Sequence, residues 1–270
     1  MFVGDTIVDE YHYVTPLGKS PKEHLIPVEY KSEEVFLGGI EAAASHARTF
    51  CSVVDVTTFG RITRKVRMID RTYLRKLFEI HYDGGPVFKT HLQYDYDCIV
   101  IADFGHGAIT GQLMSDLYDS GKFIALDVQT NSANLGFNLI TKHPKADYIV
   151  IDEPEARLAA ADRDGPMEGV IKKLAAGRCE RMVVTLGNRG AIGYDKGVFF
   201  RSPAMSKNIV DTMGAGDAFF SVTAPMAKMG KMDDLLLIGN AAGALKCQVV
   251  GHREPVTKAA LINYLKNETR

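Results

Sequence analysis

The chain has 270 residues, 46% of them hydrophobic, and a formal net charge of −1 at pH 7. That length can bury one substantial core, and the balanced charge excludes a polyanion such as a nucleic acid backbone as a partner demanded by composition. No apolar run reaches membrane-spanning length, and the four cysteines, Cys51, Cys98, Cys179 and Cys247, form no Cys-x-x-Cys pair, which excludes a disulfide framework or zinc site and predicts a reducing, cytoplasmic setting.

The start, Met1-Phe2-Val3-Gly4-Asp5, has no basic stretch followed by an apolar one and so does not read as a secretory signal. Residues 1–3 predict a short strand. Residues 11–35 are polar with strand-like fragments at 25–30. The small residues of 39–50 predict a helix, and the β-branched run 52–59 a strand. The basic run that follows, with Arg64, Lys65, Arg67, Arg71 and Arg75, reads by default as a solvated strand face, and 66–82 continues as strand. Segments 10–36 and 64–83 together predict a small β lid over the end of a larger sheet.

From residue 98 onward short apolar runs alternate with helical spacing. Strands are predicted at 98–102, 123–126, 148–151 and 181–185, and helices at 109–120, 135–144 and 154–176 between them. Residues 215–230, 233–249 and 258–267 predict three more helices. Such alternation implies right-handed crossovers and a mainly parallel sheet flanked by helices on both faces. No internal repeat or low-complexity stretch breaks the pattern, so residues 1–270 are expected to form one α/β domain carrying the lid.

The most informative stretch is Asp211-Thr212-Met213-Gly214-Ala215-Gly216-Asp217-Ala218-Phe219-Phe220, a turn of small residues opening directly into a helix. Gly214 and Gly216 permit close backbone approach. The successive amides and the positive helix end make an anion site. Asp217 is out of place in a simple anion site. It fits if it takes a proton from a hydroxyl while the neighbouring amides of Gly214, Ala215 and Gly216 hold a transferring phosphoryl group. An ordinary helix start with an acidic first turn would account for a bare Gly-x-Gly-Asp; the full ten-residue string points past it.

This string resembles the C-terminal signature of the ribokinase (PfkB) carbohydrate kinases at all its defining positions. The resemblance extends over nearly the whole chain. Gly4-Asp5 to Asp9 is similar to the family's first strand, in which the second Asp reaches sugar hydroxyls. Leu37-Gly38-Gly39 resembles the di-glycine turn before a substrate-side helix, Asp103-Phe104-Gly105-His106-Gly107 a D-Y-G-K-G loop, and Thr185-Leu186-Gly187 to Gly190 a nucleotide loop. Asn240 falls where a helix closes the adenine pocket. The resemblance implies ATP as the phosphoryl donor, contacted by Thr185, Gly187, Gly190, Asn240, Asp211 and Thr212. It implies Mg²⁺ near Glu155 and Asp152, and a monovalent cation, K⁺, near Asp211 and the 249–253 loop. The substrate side would hold Asp9, Gly38, Gly39 and Asp103, with Lys65 and Arg67 able to meet an anionic group. A homodimer through the lid is also implied. Ser20-Pro21, Arg64-Lys65-Val66-Arg67 and Asp152-Glu153-Pro154-Glu155 look most similar to the heptose-phosphate kinase domain of ADP-heptose synthase.

The chain departs from the family pattern at three places. Ile40-Glu41-Ala42 stands where an Asn is usual, removing an amide that would hold a sugar hydroxyl. Asp152 replaces the Asn of N-x-x-E, which a hard cation tolerates; an acidic helix start at Pro154 explains the same residues without metal. Between Gly60 and Thr63 the helix and strand usual in the family do not occur, through either a lost βα unit or an intervening segment absent from this sequence. Two functions stand open. One is ATP-dependent phosphorylation of a hydroxyl on a sugar or sugar phosphate. The other is a binding module derived from a kinase–nucleotidyltransferase fusion that has lost catalysis. A Rossmann dehydrogenase is excluded, because no Gly-x-Gly-x-x-Gly follows the first strand.

Overall fold

A computed structural model describes residues 1–89, 95–205 and 208–268. Its strands in chain order are β1 (Phe2–Gly4), β2 (Thr6–Pro16), β3 (Val28–Gly38), β4 (Val56–Asp70), β5 (Arg75–Lys89), β6 (Cys98–Asp103), β7 (Phe123–Val128), β8 (Tyr148–Asp152), β9 (Arg181–Thr185), β10 (Ala191–Asp195) and β11 (Val198–Ser202). The helices are α1 (Gly39–Ala47), α2 (Gly111–Asp119), α3 (Glu153–Ala160), α4 (Met167–Ala175), α5 (Ala215–Thr223), α6 (Met232–Lys246) and α7 (Lys258–Glu268).

The sheet runs β11-β10-β9-β8-β7-β6-β1-β4-β2-β3, with β5 alongside β4. From β9 to the first residues of β4 every pairing is parallel, and β10 and β11 close the far end antiparallel. Central strands covered on both faces must be apolar throughout. In β6, β8 and β9, Val100, Ile101, Ile149, Val150 and Val183 are accordingly 0–3% exposed. Two apolar layers sit on the two faces. One is led by Leu117, Leu126, Ile149 and Ile171 under α2, α3 and α4. The other is led by Ile40, Phe220 and Leu236 under α1, α5 and α6.

The lid is β3-β2-β4-β5. Within it β2 pairs antiparallel with β3 and parallel with β4, and β4 pairs antiparallel with β5. The junction at residues 60–63, short of a helix and a strand, closes as a single strand. β4 pairs with β1 at Val56–Thr58 and with β2 from Thr63 onward, with Gly60 at φ +80° between the two stretches. Tyr11 and Tyr13 of β2 and Ile69 of β4 anchor the lid in a small apolar cluster.

Two expectations need correction, and one element was not foreseen. Residues 135–144 hold one short 3₁₀ turn, Ile140–Lys142, instead of a helix. The asparagines there bond the backbone: the Asn134 side chain accepts from Asn131 N, and Asn138 Nδ2 donates to the carbonyls of Asp103 and Gln129. The single helix predicted over 154–176 is two, α3 and α4, because Ala161 ends α3 in the left-handed region and Gly165-Pro166 follows. The hairpin β10–β11 went unpredicted, although Lys196-Gly197 supplies the two positive φ angles, 47° and 95°, that a tight hairpin turn requires. Among the described residues no helix is long and apolar enough to cross a membrane.

Candidate active site

The C-terminal ends of β1, β6, β7, β8 and β9 face one crevice, the place where parallel α/β sheets take ligands. α5 starts beside it. Gly214 caps α5 with φ +74° and ψ 9°, a left-handed conformation open to glycine, and Ala218 N returns to Gly214 O at 2.9 Å. Among the described residues the amides of Gly214, Gly216 and Asp217 have no acceptor, whereas the Ala215 amide reaches Thr212 O at 3.3 Å. Three unspent donors at a helix N-terminus form a site for an anion. Thr212 is exposed there, and a side-chain carbon added at Gly216 would meet open space.

Asp217 lies in the first turn of α5, beside these amides. Its Oδ1 accepts from Gln129 Nε2 at 2.5 Å. Burial raises its pKa, and His252, Gln129 and Lys246 oppose the rise. Buried Asp127 and Glu155 share this region. Burial, then Glu155 and Asp217, push the Asp127 carboxyl well above the ordinary carboxylate range. Burial, then Asp152, push Glu155 up to about 8. Asp152 and Glu155 form the capping box of α3: Asp152 Oδ1 accepts from Glu155 N at 2.8 Å and Glu155 Oε2 from Asp152 N at 2.9 Å. The second Glu155 oxygen accepts from Thr130 N at 2.9 Å. Among the described residues no group of three or more His, Cys, Asp or Glu is disposed to hold a metal ion.

On the lid side Asp9 is 4% exposed. Arg67 bonds its Oδ1, and His252 Nε2 lies 3.3 Å from its Oδ2. Burial works to raise the Asp9 pKa, but His252 and Arg67 outweigh it and hold the carboxyl below its ordinary value. Gly38 stands against this carboxylate so closely that a side chain there would collide with Asp9 Oδ2. Gly39, at φ +56°, turns the chain into α1. Arg67 also meets Glu79 at 2.6 Å, so its guanidinium is held on two sides. Lys65 is 7% exposed; burial lowers its pKa, and the carboxylates of Asp9, Glu79 and Asp5 oppose that shift.

Thr185 ends β9 next to Asp152 in register. Gly187 opens a 3₁₀ turn, with open space where a side chain would stand. Gly190, at φ +89°, packs against the carbonyl of Ser202. Asn240 Nδ2 donates to Ser202 O and Pro203 O at 3.2 and 3.0 Å, tying α6 to the same corner.

The model of pfkB family carbohydrate kinases matches residues 110–259, more than half of the chain. The chain belongs to the pfkB family. It is 29% identical to a 2-dehydro-3-deoxygalactonokinase of Haloferax volcanii over 155 residues, covering 55% of this chain and 48% of that protein. It is 23% identical to the bifunctional protein HldE of Desulfatibacillum aliphaticivorans over 265 residues, covering 82% of this chain and 54% of HldE. The chain thus spans about half the length of the curated relatives it matches. Its fold is that of a ribokinase from Thermotoga maritima, with a TM-score of 0.76 at 18% identity over 98% of both chains.

In this pfkB chain the fold brings Asp217, the Gly214–Gly216 turn, Asp9 and the Thr185–Gly190 loop to one end of the sheet. Asp103 has other partners. It is 2% exposed, and its carboxylate accepts from Gly105 N, from Asn138 Nδ2, from His143 Nε2 at 2.8 Å and from Lys142 at 2.5 Å. These contacts hold its pKa below the ordinary value against burial, and they tie Asp103 to the 104–108 loop and the 138–143 segment. Asp5 is a second buried carboxylate: it accepts from Phe104 N and Ala108 N at 2.9 Å and pins the 104–108 loop to β1.

Sequence reasoning missed Gln129 and His252. Gln129 follows a strand whose charge, Asp127, breaks an apolar run, and that is a readable signal. His252 carried none. It lies between Asp9 and the Gly214 cap, and among the described residues its buried Nδ1 has no partner.

Proposed function

We propose that this chain transfers the γ-phosphoryl group of ATP to a hydroxyl of a sugar or sugar phosphate, with Asp217 as the general base. One observation carries the reading: a carboxylate of raised pKa stands at the helix start beside three amides without acceptors. Asp217 Oδ1 is held by Gln129, and its second oxygen takes the hydroxyl proton. The substrate oxygen then attacks the γ-phosphorus as the bond to the β–γ bridging oxygen breaks and ADP leaves, while the amides of Gly214, Gly216 and Asp217 meet the charge on the phosphoryl oxygens. The Ala215 amide, bonded to Thr212, has a smaller part. Thr185, Gly187, Gly190 and Asn240 border the adenosine end, with Asp211 and Thr212 below the phosphates.

Asp9 and the Gly38-Gly39 turn position the acceptor. Of the two basic residues expected to meet an anionic substituent, Arg67 is occupied by Asp9 and Glu79, which leaves Lys65 for that role. An acceptor that already carries a phosphate suits this arrangement.

Mg²⁺ fits as a cation carried on the nucleotide. Glu155 and Asp217 raise the Asp127 pKa and Asp217 raises that of Glu155, a strain that positive charge relieves, yet Glu155 and Asp152 have spent oxygens on the α3 cap. They suit contact through water better than direct ligation. When bound, Mg²⁺ neutralises charge developing on the transferred group. K⁺ does not fit, because Lys246 Nζ donates to the carbonyls of the 249–251 loop that would receive it.

We read the chain as one kinase unit acting in the cytoplasm, consistent with four cysteines that form no disulfide, and as a homodimer through the lid. Phe78, Ile80 and Tyr82 of β5 alternate onto one face and are 36–47% exposed, a surface that a second copy would cover. Nothing in the site or the comparisons favours the non-catalytic reading.

The test is ADP release from Mg-ATP across a panel of hexoses, heptoses, deoxy sugar acids and their phosphates. Asp217→Asn should retain nucleotide binding and lose turnover by about 10²–10⁴-fold. Near-normal turnover in that variant on a confirmed acceptor would exclude the mechanism.

A further inference from the structure

Lys246, in the last turn of α6, is 1% exposed. A buried lysine must find oxygen partners, and this one finds them in the turn that follows its own helix. Its Nζ donates to Gly251 O at 2.5 Å and to Val249 O at 3.5 Å. The same turn is fastened to the candidate active site. Gly251 N donates to Asp211 Oδ2 at 3.0 Å, Asp211 Oδ1 accepts from Met213 N at 3.1 Å, and Val210 N and Asp211 N both donate to Cys247 O. The Lys246 stem also lies beside the α5 cap: a carbon added to Gly214 would sit 3.3 Å from Lys246 Cε. Burial favours the neutral amine, while Asp211 and Asp217 favour the ammonium.

These partners, two carbonyls with a carboxylate close by, are the oxygen set that a hard monovalent cation would use. Lys246 brings one positive charge to that set on a covalent tether. A free cation entering the same space would meet like-charge repulsion and carbonyls already turned to the amine. The sequence resemblance implied K⁺ near Asp211 and the 249–253 loop, and the side chain that opposes it comes from α6, one turn before the loop.

We propose that Lys246 is a tethered ammonium that takes the place of a monovalent cation beneath the phosphate-holding turn, so that the Asp211–Gly214 segment is ordered without K⁺. Lys246 is a positioning residue: it fixes the 249–251 turn, which holds Asp211, which in turn holds the start of the Gly214 cap. The inference rests on the kinase reading only for its effect on turnover; the cation site itself is a property of the fold.

The experiment compares the full chain with Lys246→Ala in buffers whose salt is potassium, ammonium, sodium or tetramethylammonium chloride at one ionic strength. It reads melting temperature and ADP affinity, and turnover where an acceptor is known. The wild-type protein should show no preference for K⁺ or NH₄⁺ over tetramethylammonium in any readout. Lys246→Ala should melt lower and bind ADP about tenfold or more weakly in tetramethylammonium, with K⁺ or NH₄⁺ restoring most of both. Lys246→Met fills the space without charge and should be weak in every salt.

A K⁺-specific gain in the wild-type protein overturns the proposal, and this arm stands even if the variants fail to fold. So does a Lys246→Ala protein that matches wild type in all salts, or one that is impaired and rescued by no cation. Failure of ADP to bind any form would instead count against the kinase reading, with the melting arm still testing the cation site.

Discussion

Gln129 holds Asp217 by a single carboxylate oxygen, with its Nε2 2.5 Å from Asp217 Oδ1 and 3.2 Å from Asp127 Oδ2. In the proposed mechanism the amide therefore chooses which oxygen of Asp217 faces the acceptor and favours its ionised form. Removing the donor in Gln129→Met lets the Asp217 pKa, already raised by burial, climb further. The ionised form is the active one, so activity is lost as pH falls through this pKa. The acid limb of the kcat/KM profile should move to higher pH, and turnover near neutrality should drop about 10–100-fold, the value of a hydrogen bond to a charged group. A limb that stays in place would show that Gln129 has no hold on the base.

Gly38→Ala tests the acceptor side. The added methyl would collide with Asp9 Oδ2, so the carboxylate must swing off Arg67 and His252. KM for the acceptor should rise by about tenfold or more while KM for ATP holds, since a misplaced positioning group costs most where it touches substrate. An equal rise for both substrates would point to a general distortion of β2 and β3.

For Asp103 the expectation is one of stability. Asp103→Ala strips hydrogen-bond partners from His143, which is 0% exposed, and from Asn138 and Gly105 N, and should cost about 1–3 kcal/mol, the usual result of leaving buried polar groups unsatisfied. The Asp103 pKa is held below its ordinary value of 3.8, so its contribution is present above that pH and fades as pH falls through the folded pKa. The stability gap between wild type and variant should therefore narrow in acid. An unchanged melting temperature with a raised acceptor KM would support the substrate role.

The framework strands and the phosphate turn were legible because each is local. A buried parallel strand must be apolar, as 148–151 is, and a turn built for an anion needs Gly214 and Gly216 at fixed offsets from Asp217. What escaped depends on distant partners. Asp103 sits in a family-like loop, and its partner is His143, forty residues on, in a segment whose asparagines bond the backbone in place of forming the expected helix. Arg67 looked free in a basic run, yet Asp9 and Glu79 reach it from two neighbouring strands. Lys246 reads as one more polar position on an alanine-rich helix until the turn after it folds back.

Glu155 offers a measurement independent of substrate. Its folded pKa of about 8 exceeds its ordinary value of 4.5. The folded state therefore keeps a proton that the unfolded chain releases. Stability from this group is full below about 4.5 and is lost as pH rises toward 8. Glu155→Gln keeps one capping acceptor and cannot ionise. Its stability should change less between pH 5 and 8 than that of wild type, by on the order of 1–3 kcal/mol across the window, as read by chemical denaturation at several pH values. Parallel pH profiles would mean that Glu155 stays ionised in the folded protein.

The unbroken course of β4 sets the mechanics of the lid. A cover joined by a loop can swing as a door does, at little cost until it meets a stop. Here the first residues of β4 are bonded to β1 and its last to β2 and β5, so lid and base share one leaf of hydrogen-bonded backbone. Such a leaf bends and does not swing. The bend falls where the ladder is weakest, near Gly60, at the register shift between Arg61 and Thr63. Travel at the lid edge is then short and elastic, and each degree of bending strains the strand that carries Lys65 and Arg67.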